Sequence, residues 1–85
     1  MMLPKNRMRE LRKERKLTQK IIAQILKTNE RQYSRWETGF TEIPAHHVVS
    51  LADFYQVSTD YLLGRTDDPT PPKDAKPYAP EKKEE

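Results

Sequence analysis

The chain has 85 residues, with 34% hydrophobic and 34% charged residues, no cysteine and a formal net charge of +3. That length allows one small domain, whose core must come from a few closely packed elements. The missing cysteines exclude disulfides and thiolate metal sites, and no apolar run is long enough to span a bilayer.

The charge is uneven along the chain. Residues 1 to 66 carry twelve Lys/Arg against seven Asp/Glu, and residues 67 to 85 carry four against six. A basic body with a mildly acidic end suits a polyanionic partner, although ordinary solubilising charge accounts for the imbalance equally well. The charged start MMLPKNRMRE leads into no apolar stretch and no small-residue cleavage site. It does not read as a signal peptide, and the expected location is cytoplasmic.

Five helices are expected in the first 64 residues. Pro4 suits a first-turn position, and Met8, Leu11 and Arg15 share one face of a helix running to about Lys16. Thr18 is a good N-cap for a second helix, Gln19 to Leu26, with Ile22, Ala23 and Leu26 on one side. Lys27, Thr28 and Asn29 form a short turn. Asn29 caps a third helix, which Glu30 opens with a carboxylate near the positive end of the dipole. Tyr33, Trp36 and Glu37 continue its inward face, and Gly39 stops it. Pro44 begins a fourth helix striped by Ala45, Val48, Val49, Ala52 and Tyr55. Ser58 caps a last short helix through Leu63, ended by Gly64. No stretch alternates with period two, so the expected class is all-α.

From Thr66 to Glu85 the chain holds five of its seven prolines and no Leu, Ile, Val, Met or Phe. Such a segment cannot offset its ordering entropy by burial. The expected organisation is therefore a domain at 1–64 and a disordered tail at 65–85.

The informative stretch is TQKIIAQILKTNERQYSRWETG, residues 18 to 39. Two helices this short cannot stand alone in water and must pack on each other. Ile22, Ala23 and Leu26 would meet Tyr33 and Trp36, leaving Glu30, Arg31, Gln32, Ser34 and Arg35 on the outside of the third helix. Those side chains suit base edges: arginine binds guanine through two bonds, glutamine pairs with adenine, and glutamate accepts from cytosine. A solvated helix face has the same composition, and the packed pair of helices is what favours the DNA reading.

Residues 7 to 64 resemble the repressor-type helix-turn-helix family, of the Cro/lambda-repressor-like or xenobiotic-response-element type. The likeness lies in RMRELRKERKLTQ at 7–19, SRWETG at 34–39 and VSTDYLLG at 57–64, in order and with family-like spacing. It implies a five-helix domain whose third helix reads double-stranded DNA, with paired domains on paired half-sites. By position, the resemblance makes Glu30, Arg31 and Arg35 base-contacting, flanked by Gln32 and Ser34. It makes Gln19 a DNA-backbone contact that braces the first residue of the third helix. Arg12 and Glu37 match an ion pair tying the first helix to the end of the third. Tyr61, Leu62 and Leu63 match the family's dimerisation end; some of them would also pack on the core, leaving one such as Leu63 exposed to meet a second copy, with a weak dimer expected off DNA. The implied function is a transcriptional regulator acting as a repressor.

Two departures from the family pattern matter. Lys27 stands where the family often has glycine; a left-handed backbone there would be costly for lysine, so an adjusted turn is expected, with Lys27 facing a phosphate. The loop Phe40-Thr41-Glu42-Ile43 lacks the family's positive charge. Phosphate contacts must then come from backbone amides, Thr41, Lys5 or Arg7. Glu30 repels phosphate and reads as a specificity element that rejects wrong bases.

Other chemistries find little support. His46 and His47 are neighbours on a helix, about 100° apart, and lack the one-turn offset of a metal pair. No nucleophile, base and orienting group share a recognisable spacing. No enzyme activity, cofactor, metal or small-molecule ligand is expected. The rival reading is a protein-interaction module of antitoxin type with DNA binding secondary, which an apolar or amphipathic C-terminal segment would favour; this tail is neither.

Overall fold

The computed structural model describes residues 6–73. The order is α1 Met8–Glu14, α2 Gln19–Ile25, α3 Glu30–Thr38, α4 Ala45–Tyr55 and α5 Thr59–Leu62. The described residues are all-helical, with no strand. None of their helices is long and apolar enough to cross a membrane.

Three helices start on side-chain caps. Thr18 Oγ1 accepts from the Ile21 amide at 3.1 Å, Asn29 Oδ1 from Gln32 at 2.8 Å, and Ser58 Oγ from Tyr61 at 3.0 Å. Each satisfies one amide that has no partner within its helix. α1 is shorter than the sequence suggests at both ends. Asn6 Oδ1 accepts from the Met8 amide at 3.0 Å and marks the start, while Lys16 turns left-handed at φ 58° and ends it. Pro4, expected in its first turn, lies outside the described residues.

All five helices end in the same device. A residue just past each helix takes a left-handed conformation: Lys16, Lys27, Gly39, Gln56 and Gly64, with φ between 58° and 83°. The next amide then reaches back five residues. Leu17 donates to Arg12 O at 3.0 Å, Thr28 to Ala23 O at 2.9 Å, Phe40 to Arg35 O at 2.8 Å, Val57 to Ala52 O at 2.9 Å and Arg65 to Asp60 O at 2.8 Å. This is the Schellman arrangement, which satisfies carbonyls left over at the helix end. The turn at Lys27 is therefore not adjusted to suit a lysine; the lysine adopts the left-handed backbone. At Lys16 and Lys27 a positive charge sits beside the negative end of the helix dipole, which offsets part of the conformational cost.

The core gathers residues from all five helices. Met8, Ile22, Tyr33, Leu51 and Leu62 are fully buried, with Leu11, Ala23, Leu26, Trp36, Val48, Ala52, Tyr55 and Val57 around them. Burying each large side chain contributes about 1.5–3 kcal/mol. On α4 the buried face is Val48, Leu51, Ala52 and Tyr55. Ala45 and Val49, placed on that stripe by the sequence, are exposed. Leu51, three residues beyond Val48 and four before Tyr55, takes the central position.

The chain after α5 is tied back to the domain. The Ser58 amide donates to Pro69 O at 3.1 Å, and Arg7 holds Thr66 and Asp67. The first part of the expected tail is thus a strap on the domain, and residues 74–85 lie outside the described residues.

Left-handed backbone at Lys16 orders three variants by stability. With the dipole screened by high salt, Lys16→Gly gains up to about 1 kcal/mol over the native lysine, and Lys16→Val loses on the order of 1–2 kcal/mol. Urea denaturation with unchanged slope measures both, and the reverse order would contradict the turn described here.

Candidate nucleic-acid interface

The site rests on a buried carboxylate. Glu37 receives Arg12 Nε at 2.8 Å on Oε2 and Arg12 Nη2 at 3.0 Å on Oε1. Gln19 Nε2 donates to Oε1 at 2.9 Å, and the Tyr33 hydroxyl to Oε2 at 2.7 Å. The Glu37 side chain is 3% exposed. Four donors thus saturate both oxygens, which is what an ion held away from water requires. The cluster joins α1, α2 and α3 at one point.

Burial alone would raise the Glu37 carboxyl. Hydrogen bonds from Arg12, Tyr33 and Gln19 outweigh that effect and hold it below the usual glutamate value. Burial, then the bond to Glu37, pushes the Tyr33 phenol far up, so it remains a donor. Tyr55 contrasts with it: its hydroxyl is buried with no hydrogen-bond partner among the described residues, and burial pushes its pKa up to about 12.

With Tyr33, Trp36 and Glu37 turned inward, helical periodicity decides what α3 shows. Arg31 lies at the middle of the opposite face, with Ser34, Arg35 and Thr38 along it and Glu30 and Gln32 on its flanks. Glu30, Arg31 and Thr38 are exposed, and Gln32, Ser34 and Arg35 are half-buried. Thr38 was missed in the sequence although it falls seven residues after Arg31. Its hydroxyl donates within α3 to Ser34 O at 3.1 Å and Arg35 O at 3.3 Å.

Several other assigned residues are engaged elsewhere. Gln19 does not brace Glu30 at the head of α3; its amide reaches Glu37 near the other end, because the start of α2 lies against that turn. Arg7, expected to contact phosphate, is engaged within the chain. Its Nη1 donates to Tyr61 O at 2.6 Å and Thr66 O at 3.0 Å, and Nη2 pairs with Asp67 at 2.6 Å. Its guanidinium also sits 4.0 Å from the centre of the Tyr61 ring. Lys5 lies outside the described residues. The amides of Phe40 and Thr41 both donate to Arg35 O, at 2.8 and 3.3 Å, so neither is offered to a ligand. Lys27 and Thr41 are exposed.

At the other end of the domain, Leu62 is fully buried and Leu63 is 36% exposed. Leu62 therefore belongs to the core and cannot meet a partner, while half-buried Tyr61 backs onto Arg7. Leu63 borders a groove of about 720 Å³ with Trp36, Ile43, Pro44, Val48 and exposed Val49. Among the described residues no cluster of three or more His, Asp or Glu can hold a metal ion. His46 and His47 stack with ring centres 4.0 Å apart, and His47 also lies 5.0 Å from the Trp36 ring. Burial, and then His46, lowers the His47 pKa.

The cluster around Glu37 makes stability fall in acid. A carboxyl depressed in the folded chain contributes stability that is complete above the unfolded value of about 4.3 and is lost as pH falls through the lower folded value. Glu37→Gln should cost about 3–5 kcal/mol near neutrality, because it leaves Arg12 charged and buried, and this deficit should shrink in acid. Tyr33→Phe should cost about 1.5–3 kcal/mol and Tyr55→Phe close to nothing. Equal losses for the two tyrosines in denaturant titrations would contradict these hydrogen-bond assignments.

Comparison with known proteins agrees with this architecture. A family model described as a helix-turn-helix domain matches residues 6–67. The chain is 42% identical over 65 residues to the "Uncharacterized HTH-type transcriptional regulator YobD" of Bacillus subtilis (strain 168), covering 76% of this chain and 58% of that protein. It is 34% identical over 59 residues to the "HTH-type transcriptional regulator ImmR" of the same organism, covering 69% of this chain and 46% of that protein. The chain thus spans about half the length of these relatives. No solved structure matches it. Five short helices, the α2–α3 pair and these matches show that the chain belongs to the helix-turn-helix domain family, of the Cro/lambda-repressor-like type.

Proposed function

We propose that this chain binds double-stranded DNA in a sequence-specific manner and regulates transcription as a repressor, with α3 in the major groove. The observation that carries this reading is the outward face of α3. Arg31 stands at its centre, exposed, on a helix whose opposite side is anchored by Tyr33, Trp36 and Glu37. A helix fixed from behind meets base edges with little loss of freedom, and both relatives bear the name of transcriptional regulators. Arg31 and Arg35 contact bases, with Gln32, Ser34 and Glu30 supplying further discrimination. Gln19, Lys27 and Thr41 face the sugar–phosphate backbone, with Lys5 outside the described residues. The protein works in the cytoplasm with its operator.

The same reading makes the bound species a homodimer. Leu63 and Val49 beside the apolar groove offer the surface on which two copies meet. The patch is small, so the dimer is weak in solution and firmer on DNA, where two adjacent half-sites raise the effective concentration.

Selection of bound duplexes from a random pool at near-physiological salt tests the proposal. The expected product is a symmetric motif with a fixed half-site spacing. On that motif Arg31→Ala should cost about 1–3 kcal/mol at one base position and relax preference there. A uniform loss on all sequences would remove Arg31 from base reading, and recovery of no motif would end the proposal.

A further inference from the structure

Phe40 is the most exposed large hydrophobic residue among those described, at 73%. A ring so open to water adds little to the core, so packing does not account for its place. Two links tie it to Arg35. The Phe40 amide donates to Arg35 O at 2.8 Å, a bond enforced by left-handed Gly39 between them. The Arg35 guanidinium lies 5.5 Å from the centre of the Phe40 ring, within range of attraction by the ring face. The Schellman turn thus delivers an aromatic surface to the arginine whose carbonyl closes that turn.

Arginine is a long side chain that loses much rotational freedom when it is fixed on a ligand. A ring that already holds the guanidinium removes part of that loss before DNA arrives. A phenyl ring offers no oxygen or nitrogen acceptor, so this contact does not use up the guanidinium's capacity for paired hydrogen bonds to a ligand. We propose that Phe40 is a positioning residue for Arg35, holding its guanidinium ready for DNA. This rests on the DNA-binding reading above and adds a residue that carries no charge and no hydrogen-bonding side chain. It also gives the loop, which has no positive charge, a function in binding other than direct phosphate contact.

The test is a double-mutant cycle on the selected operator, with affinities measured at fixed salt. Phe40→Ala should weaken binding about two- to fivefold, a part of the ordering cost of one long side chain, with at most a small fall in thermal stability. In the Arg35→Ala background the same change should have no further effect, and Phe40→Trp should keep native affinity. Equal losses in both backgrounds, or no loss in either, would overturn the assignment while leaving DNA binding intact. In the free protein, NMR relaxation of the Arg35 Nε–H should show increased motion in Phe40→Ala. Unchanged motion would overturn the stack whether or not DNA binds. Failure of the native protein to bind any duplex would instead remove the DNA reading, and this inference with it.

Discussion

One carboxylate holds α3 in place. Glu37 sits on α3, and its donors come from α1, α2 and α3 itself: Arg12, Gln19 and Tyr33. A buried ion pair of this kind is a weak source of net stability, since desolvation cancels much of the attraction. Its geometric effect is strong. An incorrect rotation of α3 would leave a charge buried without partners, so the cluster selects one rotation of the helix. That rotation points Arg31 outward, and the candidate interface depends on it.

The short helices explain why such a device is needed. α1 and α2 have seven residues each and α5 has four, lengths at which helices are not stable alone. Caps at the starts and Schellman turns at the ends satisfy terminal backbone groups, which make up a larger share of a short helix than of a long one. The turns also set direction. Lys27 between α2 and α3 and Gly39 after α3 turn the chain out of each helix within a residue or two, and the second of these brings Phe40 beside Arg35. The backbone geometry that ends α3 thereby shapes the surface beside it.

Arginines in this domain divide between holding the fold and facing outward. Arg12 is buried against Glu37, and Arg7 fastens the segment after α5 through Tyr61, Thr66 and Asp67. Arg31 and Arg35 remain on the outward side of α3. A count of positive residues along the chain does not make this division, because each guanidinium is the same chemical group whichever partner it meets. The partners of Arg7 lie more than fifty residues away in the chain.

Helix order, the caps at Thr18, Asn29 and Ser58, and the inward set on α3 were all legible, because capping chemistry and 3.6-residue periodicity are local. The family blocks added the Arg12 and Glu37 positions. Left-handed Lys16 and Gln56 were not legible, since helix ends there are set by neighbouring packing and not by glycine. Nor was the replacement of Val49 by Leu51 in the core, which depends on how α4 rolls against its neighbours. The sequence by itself determined the all-α class and the inward set of α3, through short-range periodicity. Only the tertiary structure decided that Gln19 reaches Glu37, that Arg7 turns to the strap and that Leu62 is buried, because those outcomes depend on contacts between segments distant along the chain.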